Sequence, residues 1–335
     1  MSSYDNNTSR RNALSRRALL AGFGAGTLCA IVGARAQNFA STPVKLVVGL
    51  GAGSGPDVIC RIIANHLSRL WGQQATVMNQ PGATGGIAMR TVGSSAPDGH
   101  TLLFALSSSF VALPEIQSTF PYNLARDFVP VGFVGEVPMV IAVSPSLGVN
   151  TLAEFIALAK QRPGQISIAV SNRGGTPHLT AEWLRIATGT DMTAISYPGT
   201  PQALNDVVGG RVQATVDSLP GLKGSIAGGS LKLLAVCSAK RLPNFPDAPT
   251  ASETLPGFNA VGWYALMAPP GTPEPIARKL SEDLRTALNR PEVQGRLQGI
   301  GCHTRPMSPT ELRDFISSEQ KLWKPVIEQI GMKAK

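Results

Sequence analysis

The stretch from Val44 to Asp57 reads VKLVVGLGAGSGPD, and an amphipathic segment follows it. Its apolar start predicts a buried strand, and the apolar residues of the next segment recur at helical spacing from Ile59 to Leu70. A helix N-terminus presents unpaired N–H groups and the positive end of its dipole, and glycines let a ligand approach the backbone closely. The stretch therefore predicts either an anion-binding loop or an ordinary tight turn between strand and helix.

Three better-known versions of this turn do not fit the residues. A P-loop needs Gly-Lys-Ser/Thr where the helix starts, whereas this chain has Gly55-Pro56-Asp57. The dinucleotide spacing Gly-x-Gly-x-x-Gly fails from every glycine of the run, because no glycine stands at its last position. The nucleophile elbow Gly-x-Ser-x-Gly fails around Ser54 for the same reason. What remains is a loop that binds a small anion through its backbone.

The first 36 residues have the features of an export signal. The pair Arg16-Arg17 precedes a weakly apolar run rich in glycine and alanine, and Ala34-Arg35-Ala36 is a small-x-small cleavage site before Gln37. We therefore predict a cleaved twin-arginine-type signal over residues 1–36 and a periplasmic protein. The alternative is an uncleaved N-terminal anchor, for which this run is short and rich in glycine.

Composition narrows the function further. Without the signal the chain keeps 299 of its 335 residues, which suggests two domains, and carries 25 basic against 20 acidic side chains. The basic residues are spread along the chain and are not interleaved with aromatics, so no nucleic-acid partner is expected. The three cysteines and four scattered histidines that remain after the signal is removed give neither a disulfide framework nor a metal-ligand spacing. We therefore predict no metal site and no cofactor.

Strand and helix signals alternate along the chain, which predicts an α/β fold with parallel sheets covered by helices. Two further turns resemble the first. The segment Ser171–His178 follows one predicted strand and precedes a helix, and the segment Tyr197–Pro201 follows the next strand. Turns of this kind collect at the carboxyl ends of strands, where open α/β sheets bind their ligands. If the first turn belongs to one domain and the other two to the second, they face each other across a cleft.

Motifs along nearly the whole mature chain resemble one known family, the receptors of tripartite tricarboxylate transporters, also called the Bug family. Besides the glycine loop, the resemblance rests on these segments: Asn79–Ala83, Pro97–Leu103, Pro121–Asn123, Asp127–Val131, His178-Leu179, Tyr197, Gly199, Arg241, Pro246–Thr250, Trp263, Ala268–Pro273, Glu319 and Trp323. The resemblance implies a type-II periplasmic-binding-protein fold, in which two α/β domains enclose a ligand cleft. By this likeness the first domain spans residues 41–138 plus 264–335, and the second spans 139–263.

The resemblance also implies a solute-binding receptor that captures a small carboxylate or related organic anion and delivers it to a membrane permease. A receptor that presents its ligand to a membrane sensor would use the same cleft. By the likeness, the first domain supplies Gly51, Gly53, Ser54, Gly55 and Asp57, with Ser107 and Ser108 as additions. The second supplies Ser171, Gly174, Gly175, Thr176, His178, Tyr197, Gly199 and Thr200. We expect a monomer.

The chain departs from the family pattern at the proposed cleft. Gly49 and Gly51 stand where prolines are usual, and the segment from Ser171 to His178 is one residue short and carries Arg173. Arg173 is either a solvated loop residue or pairs with a second ligand carboxylate through its planar guanidinium group. Asp57 either stabilises its own loop and helix or contacts the ligand, and Tyr197 either stacks on the ligand or closes the hinge.

An exported hydrolase is the competing class. Ser54, Ser171 and His178 could supply a nucleophile and a base, but no motif unites them. We therefore predict a binding protein and not an enzyme.

Overall fold

The computed structural model describes residues 42–117 and 120–332. The predicted export signal lies outside these residues. The strands of the described chain are β1 (Val44–Val48), β2 (Ala75–Asn79), β3 (Thr101–Leu106), β4 (Val129–Val143), β5 (Ile166–Ser171), β6 (Met192–Tyr197), β7 (Ala214–Ser218), β8 (Lys232–Val236) and β9 (Val261–Ala268). The α-helices are α1 (Gly55–Trp71), α2 (Gly86–Gly93), α3 (Ser107–Val111), α4 (Leu113–Ile116), α5 (Leu124–Asp127), α6 (Leu152–Gln161), α7 (Thr176–Thr188), α8 (Thr200–Val208), α9 (Leu219–Ala227), α10 (Glu274–Leu288), α11 (Pro291–Gly299) and α12 (Pro309–Gln329). The predicted α/β class is confirmed.

The strands follow one path in the order β2-β1-β3-β9-β4-β7-β5-β6, and β8 pairs with the last part of β4 on the edge opposite β7. Strand β4 is the link, because it pairs with β9 from Val129 to Pro138 and with β7 from Met139 to Val143. We call the strands on the β9 side, with the first part of β4, the first half-sheet. The strands on the β7 side, with the last part of β4, are the second half-sheet.

Only part of this path is parallel. Strand β1 runs parallel to β2 and β3, and β5 runs parallel to β6 and β7, as the alternating pattern predicts. Strands β4 and β9 are antiparallel to each other, β9 is antiparallel to β3, and β4 to β7 and β8. The prediction of parallel sheets therefore holds on both flanks of the path and not at its centre, where β4 and β9 run antiparallel to their neighbours.

The core is continuous across the two half-sheets. A single cluster of buried side chains reaches from Val47 on β1, through Trp263 on β9, to Val170 on β5. Helix α12 adds to it, and the indole rings of Trp183 and Trp323 meet at 6.0 Å between centroids. The partner change of β4 falls between Pro138 and Met139, where the sequence places a domain end, but the two-domain boundaries themselves stay a prediction.

Most helix starts agree with their sequence signals. Ser308 and Glu311 form the reciprocal capping bonds predicted for α12, and Thr151 accepts the N–H of Glu154 at the start of α6. Helical spacing predicts one apolar face for α12, and Leu322 is wrongly placed on it; the predicted face comprises Leu312, Phe315, Ile316, Leu322, Trp323, Val326 and Ile327. Leu322 is 58% exposed, because the buried stripe runs through Leu312, Ile316 and Trp323 instead.

Candidate functional site

Four helices begin in the same way where the two half-sheets meet. Helices α1, α7, α8 and α9 each carry a proline in their first turn, at Pro56, Pro177, Pro201 and Pro220. None of the four has a side-chain hydrogen bond that caps its N-terminus. The first-turn N–H groups of a helix have no partner within the helix, so each start offers backbone donors to a ligand.

Three of these starts line one small cavity of about 30 Å³ between the half-sheets. Its walls also include the start of the short helix α3 and the ends of β5, β7 and β9. The lining residues are Leu50, Pro56, Leu106, Ser107, Ser108, Met139, Ser171, Asn172, Gly175, Thr176, Pro177, Asp217, Ser218, Gly262 and Tyr264. No lysine, arginine or histidine is among these described residues. The polar groups of the cavity are thus hydroxyls, backbone amides, the Asn172 side-chain amide and one carboxyl group.

The two half-sheets touch directly around this cavity. The Ser107 and Thr176 hydroxyls are 2.9 Å apart, and each belongs to a different half-sheet. The Thr84 hydroxyl donates to the Arg173 carbonyl at 3.1 Å. At Gly55 the approach is so close that a Cβ atom would lie 2.1 Å from the Ser218 hydroxyl oxygen. The site is therefore a closed cleft whose two walls come from different parts of the chain.

Ser171 and Asp217 form the polar floor of the cavity. Asp217 accepts hydrogen bonds from the Thr200 hydroxyl at 2.8 Å and from the Ser218 N–H at 2.7 Å. Burial raises the pKa of Asp217, although the nearby Ser171 hydroxyl and the Ser218 and Thr200 donors oppose this shift. The Ser171 hydroxyl lies near Asp217, but its geometry gives no hydrogen bond to any group, so it can still donate to a ligand.

A larger cavity of about 710 Å³ adjoins the small one, and Asn172 lines both. Asn172 has a backbone φ of +94°, which few residues other than glycine adopt, and its side-chain nitrogen is buried without a partner. Arg173 is exposed and lines this outer cavity, not the inner one. His178 also lines it, and burial lowers the pKa of His178, with the charge of Arg173 lowering it further and Glu182 opposing.

The first glycine loop faces the third predicted turn. A Cβ atom at Gly51 would lie 3.8 Å from the Pro198 carbonyl oxygen, and one at Gly53 would lie 3.2 Å from the Pro201 ring. Gly199 meets Gly51 on the other side of this contact. The structure thus brings the first loop and the turn before α8 together across the cleft, as the sequence predicts.

Asp57 and Ser54 are engaged within the first half-sheet. The Asp57 carboxylate accepts the Gly53 N–H at 2.9 Å and the Asn79 amide at 2.9 Å, and pairs with Arg61 at 2.9 Å. Burial opposes ionisation, but these donors outweigh it and hold the pKa of Asp57 below its ordinary value. The Ser54 hydroxyl donates to the Gly51 carbonyl. Neither side chain lines the cavity, and Asp57 has the loop-stabilising contacts of the first of its two predicted roles.

Tyr197 and Gly174, both predicted site residues, line neither cavity. The Tyr197 hydroxyl donates to Asp206 at 2.6 Å within the second half-sheet, and burial with this bond raises the pKa of Tyr197 to about 12. Gly174 has φ +76° and packs against Ile116 and Thr84 of the first half-sheet.

Five of the predicted site residues therefore line the inner cavity: Ser107, Ser108, Ser171, Gly175 and Thr176. Among the polar lining residues, the sequence analysis missed Asn172, Asp217, Ser218 and Tyr264. Asp217 and Ser218 end a buried strand just before a helix that starts with Leu-Pro, and this position at a strand's carboxyl end was the available signal. Tyr264 comes from the antiparallel strand β9, for which the sequence carries no site signal.

The sequence and the fold both match known proteins. Residues 59–332 match the model of the tripartite tricarboxylate transporter family receptor. The chain belongs to this family. It is 34% identical over 302 residues to Protein BugT of Bordetella pertussis, and the match covers 90% of this chain and 93% of that protein.

Solved structures agree. The structure described as R. palustris Rpa4515 with adipate is 32% identical, with a TM-score of 0.85, covering 88% of this chain and 99% of that one. MatC from Rhodopseudomonas palustris with bound malate is 29% identical, with a TM-score of 0.80, covering 85% and 99%. The predicted periplasmic-binding-protein fold is confirmed by this likeness. Within the described part of this family member, no helix has the length and apolar character of a membrane span.

Proposed function

We propose that the chain is a periplasmic solute-binding receptor that encloses a small organic acid between its half-sheets and hands it, unaltered, to a membrane transporter. The observation that carries the proposal is the convergence of three uncapped helix starts on one cavity that no basic residue lines. A carboxylate can be held there by charge-assisted hydrogen bonds from backbone N–H groups and hydroxyls, each contributing about 1.5–3 kcal/mol. A buried cation is not needed.

The family supports a carboxylate as ligand. Rpa4515 is described with adipate and MatC with malate, and both compounds are dicarboxylic acids. In this chain the inner cavity of about 30 Å³ has room for about one carboxylate group or two waters. We infer that one end of a dicarboxylate occupies the inner cavity and that the rest extends past Asn172 into the outer cavity, where Arg173 meets the second carboxylate.

Binding tests the proposal directly. Calorimetry and thermal shift on the mature protein, with adipate, malate and matched monocarboxylates, should give saturable binding and a rise in Tm that grows with ligand concentration. Arg173→Ala should weaken the diacids by about tenfold and leave the monoacids unchanged, since it removes only the second contact. Equal affinity of the two proteins for the diacids contradicts the role of Arg173. Absence of binding to every acid, or chemical turnover of the bound acid, contradicts the receptor.

A further inference from the structure

Asp217 introduces a second acidic group into a cavity that would receive a carboxylate. It ends β7, is 3% exposed and lines the inner cavity beside the unbonded Ser171 hydroxyl. Its known hydrogen-bond partners in the described chain are neutral, namely the Thr200 hydroxyl and the N–H and hydroxyl of Ser218. A ligand carboxylate in this cavity therefore meets Asp217 without a compensating cation.

We propose that the receptor binds its organic acid together with one proton, taken from solvent and shared between the ligand carboxylate and Asp217. This inference rests on the proposed function, because it requires a carboxylate in the inner cavity. Two carboxylates that share a site cannot both stay ionised, so one of them holds a proton and donates it to the other. The proton belongs to the pair, whichever oxygen carries it.

The groups that face Asp217 leave it no other neutralising partner. Val140 of β4 pairs with Asp217 across the sheet, and Thr200 of α8 and Ser218, at the start of α9, donate to its carboxyl group. The other residues line the same cavity: Ser171 of β5, Pro56 of α1, Ser107 of α3, Thr176 of α7 and Tyr264 of β9. Tyr264 is the one titratable group among these described neighbours. Burial raises the pKa of Tyr264, and the charge of Asp217 raises it further, so this phenol stays neutral.

Two other titratable groups lie beyond the residues that surround Asp217. Cys302 lies next to Tyr264, and burial raises the pKa of the Cys302 thiol to about 12. His178 belongs to α7 but lines the outer cavity, and burial lowers the pKa of its ring. Both groups are therefore neutral near pH 7, and neither supplies a positive charge to the floor of the inner cavity. Burial also raises the pKa of Asp217 itself, which favours protonation when a second negative charge arrives.

The test is calorimetry of the mature wild-type protein with adipate and with malate, in buffers that differ in ionisation enthalpy. Between about pH 7 and about pH 9 both acids are fully ionised, so any proton taken up comes from the buffer. Where free Asp217 is ionised within this pH range, we expect the protein to take up close to one proton for each ligand bound. Over the same part of the range, Kd should rise by up to about tenfold per pH unit.

Asp217→Asn should bind without proton uptake and with a Kd independent of pH. The matched control is Asp283→Asn, which changes another buried carboxyl that pairs with Lys279 and Trp71 on the far side of the first half-sheet. It should keep the wild-type uptake. If Asp217→Asn does not fold, the wild-type measurement alone decides.

The outcomes separate the two proposals. Binding of neither acid contradicts the proposed function. Binding without proton uptake across the whole pH range, or uptake that persists in a folded Asp217→Asn protein, overturns the shared proton and leaves the receptor intact.

Discussion

Ser171 is a side chain that the fold leaves ready for a ligand. It is fully buried at the end of β5, and its hydroxyl makes no hydrogen bond within the described chain. A buried hydroxyl without a partner lowers the free energy of unfolding, whereas a hydroxyl that donates to a bound carboxylate raises affinity. We therefore predict opposite effects of Ser171→Ala. The free protein keeps or gains stability, and ligand affinity falls about tenfold.

Chemical denaturation of the free protein and calorimetry with the bound acid measure these two quantities. Ser95→Ala is the matched control, because that hydroxyl already donates to the Val92 carbonyl at 2.7 Å, away from the cavity. Loss of stability in Ser171→Ala with unchanged affinity would show that the hydroxyl serves the fold.

Substitution of Tyr197 should have the opposite effects from Ser171→Ala, with lower stability and unchanged ligand affinity. Its hydroxyl donates to Asp206, which also pairs with Arg211, and none of these groups lines either cavity. Tyr197→Phe removes one hydrogen bond to a charged acceptor that is near the surface, so we expect a small loss of stability. Ligand affinity should stay within about twofold, because no ligand contact is lost. A tenfold loss of affinity at unchanged stability would instead favour the stacking role that the sequence leaves open.

For single residues, the sequence predicts which side chains can bind a ligand better than it predicts which of them line the cavity. Ser107, Ser171 and Thr176 lie in the inner cavity, because a residue at a strand end or helix start points to the same edge of the sheet. Asp57 stands in an equivalent place, yet its carboxylate turns back to Gly53 and Arg61. Arg61 is an i,i+4 helix partner that the local sequence shows, but Asn79 reaches Asp57 from the neighbouring strand β2, and no local pattern contains that contact.

The start of helix α1 determines how closely the half-sheets approach. Gly55 lies against Ser218 and Gly221 of the other half-sheet, and a Cβ atom there would meet the Ser218 hydroxyl oxygen at 2.1 Å. Gly55→Ala should therefore hold the cleft partly open and weaken ligand binding by about tenfold. Removing the obstacle in the double variant Gly55→Ala, Ser218→Ala should restore the affinity of Ser218→Ala alone.

A double-mutant cycle of Kd values measures this coupling. The matched control is Gly224→Ala in α9, because a Cβ atom at that glycine meets nothing within 4 Å. Additive effects of the two changes at Gly55 and Ser218 would mean that the helix start does not limit closure.

Strands are predictable from the sequence where one hydrophobic pattern governs the whole segment. Each of the nine strands in the described part of the chain overlaps a segment that the sequence predicts to be a strand, such as Ile166–Val170 within β5. The first part of β4 was not predicted as a strand. It contains Pro130 and Pro138, and its pairing with β9 shifts register near Gly132 and Gly135. Prolines and glycines argue against a central strand, and irregular pairing of this kind depends on the partner strand.

Closure of the whole molecule depends on contacts far from the ligand as well. The Lys223 ammonium of α9 donates to the Gly299 carbonyl at the end of α11, at 2.6 Å, and the Asn244 amide donates to the Gln298 carbonyl at 3.0 Å. Both bonds join the second half-sheet to a helix packed on the first. They form only when the two halves are together, so they favour the closed arrangement before any ligand arrives.

Lys223→Met should therefore shift the free protein toward an open form and lower ligand affinity. A half-buried bond to a charged donor contributes about 1 kcal/mol to closure, which corresponds to about a fivefold rise in Kd. Small-angle scattering of the free protein should give a larger radius of gyration, and the saturated protein should return to the wild-type value. The control is Lys232→Met, since Lys232 contacts Asn150 within the second half-sheet only. If Lys223→Met binds as tightly as wild type, this bond adds nothing to closure.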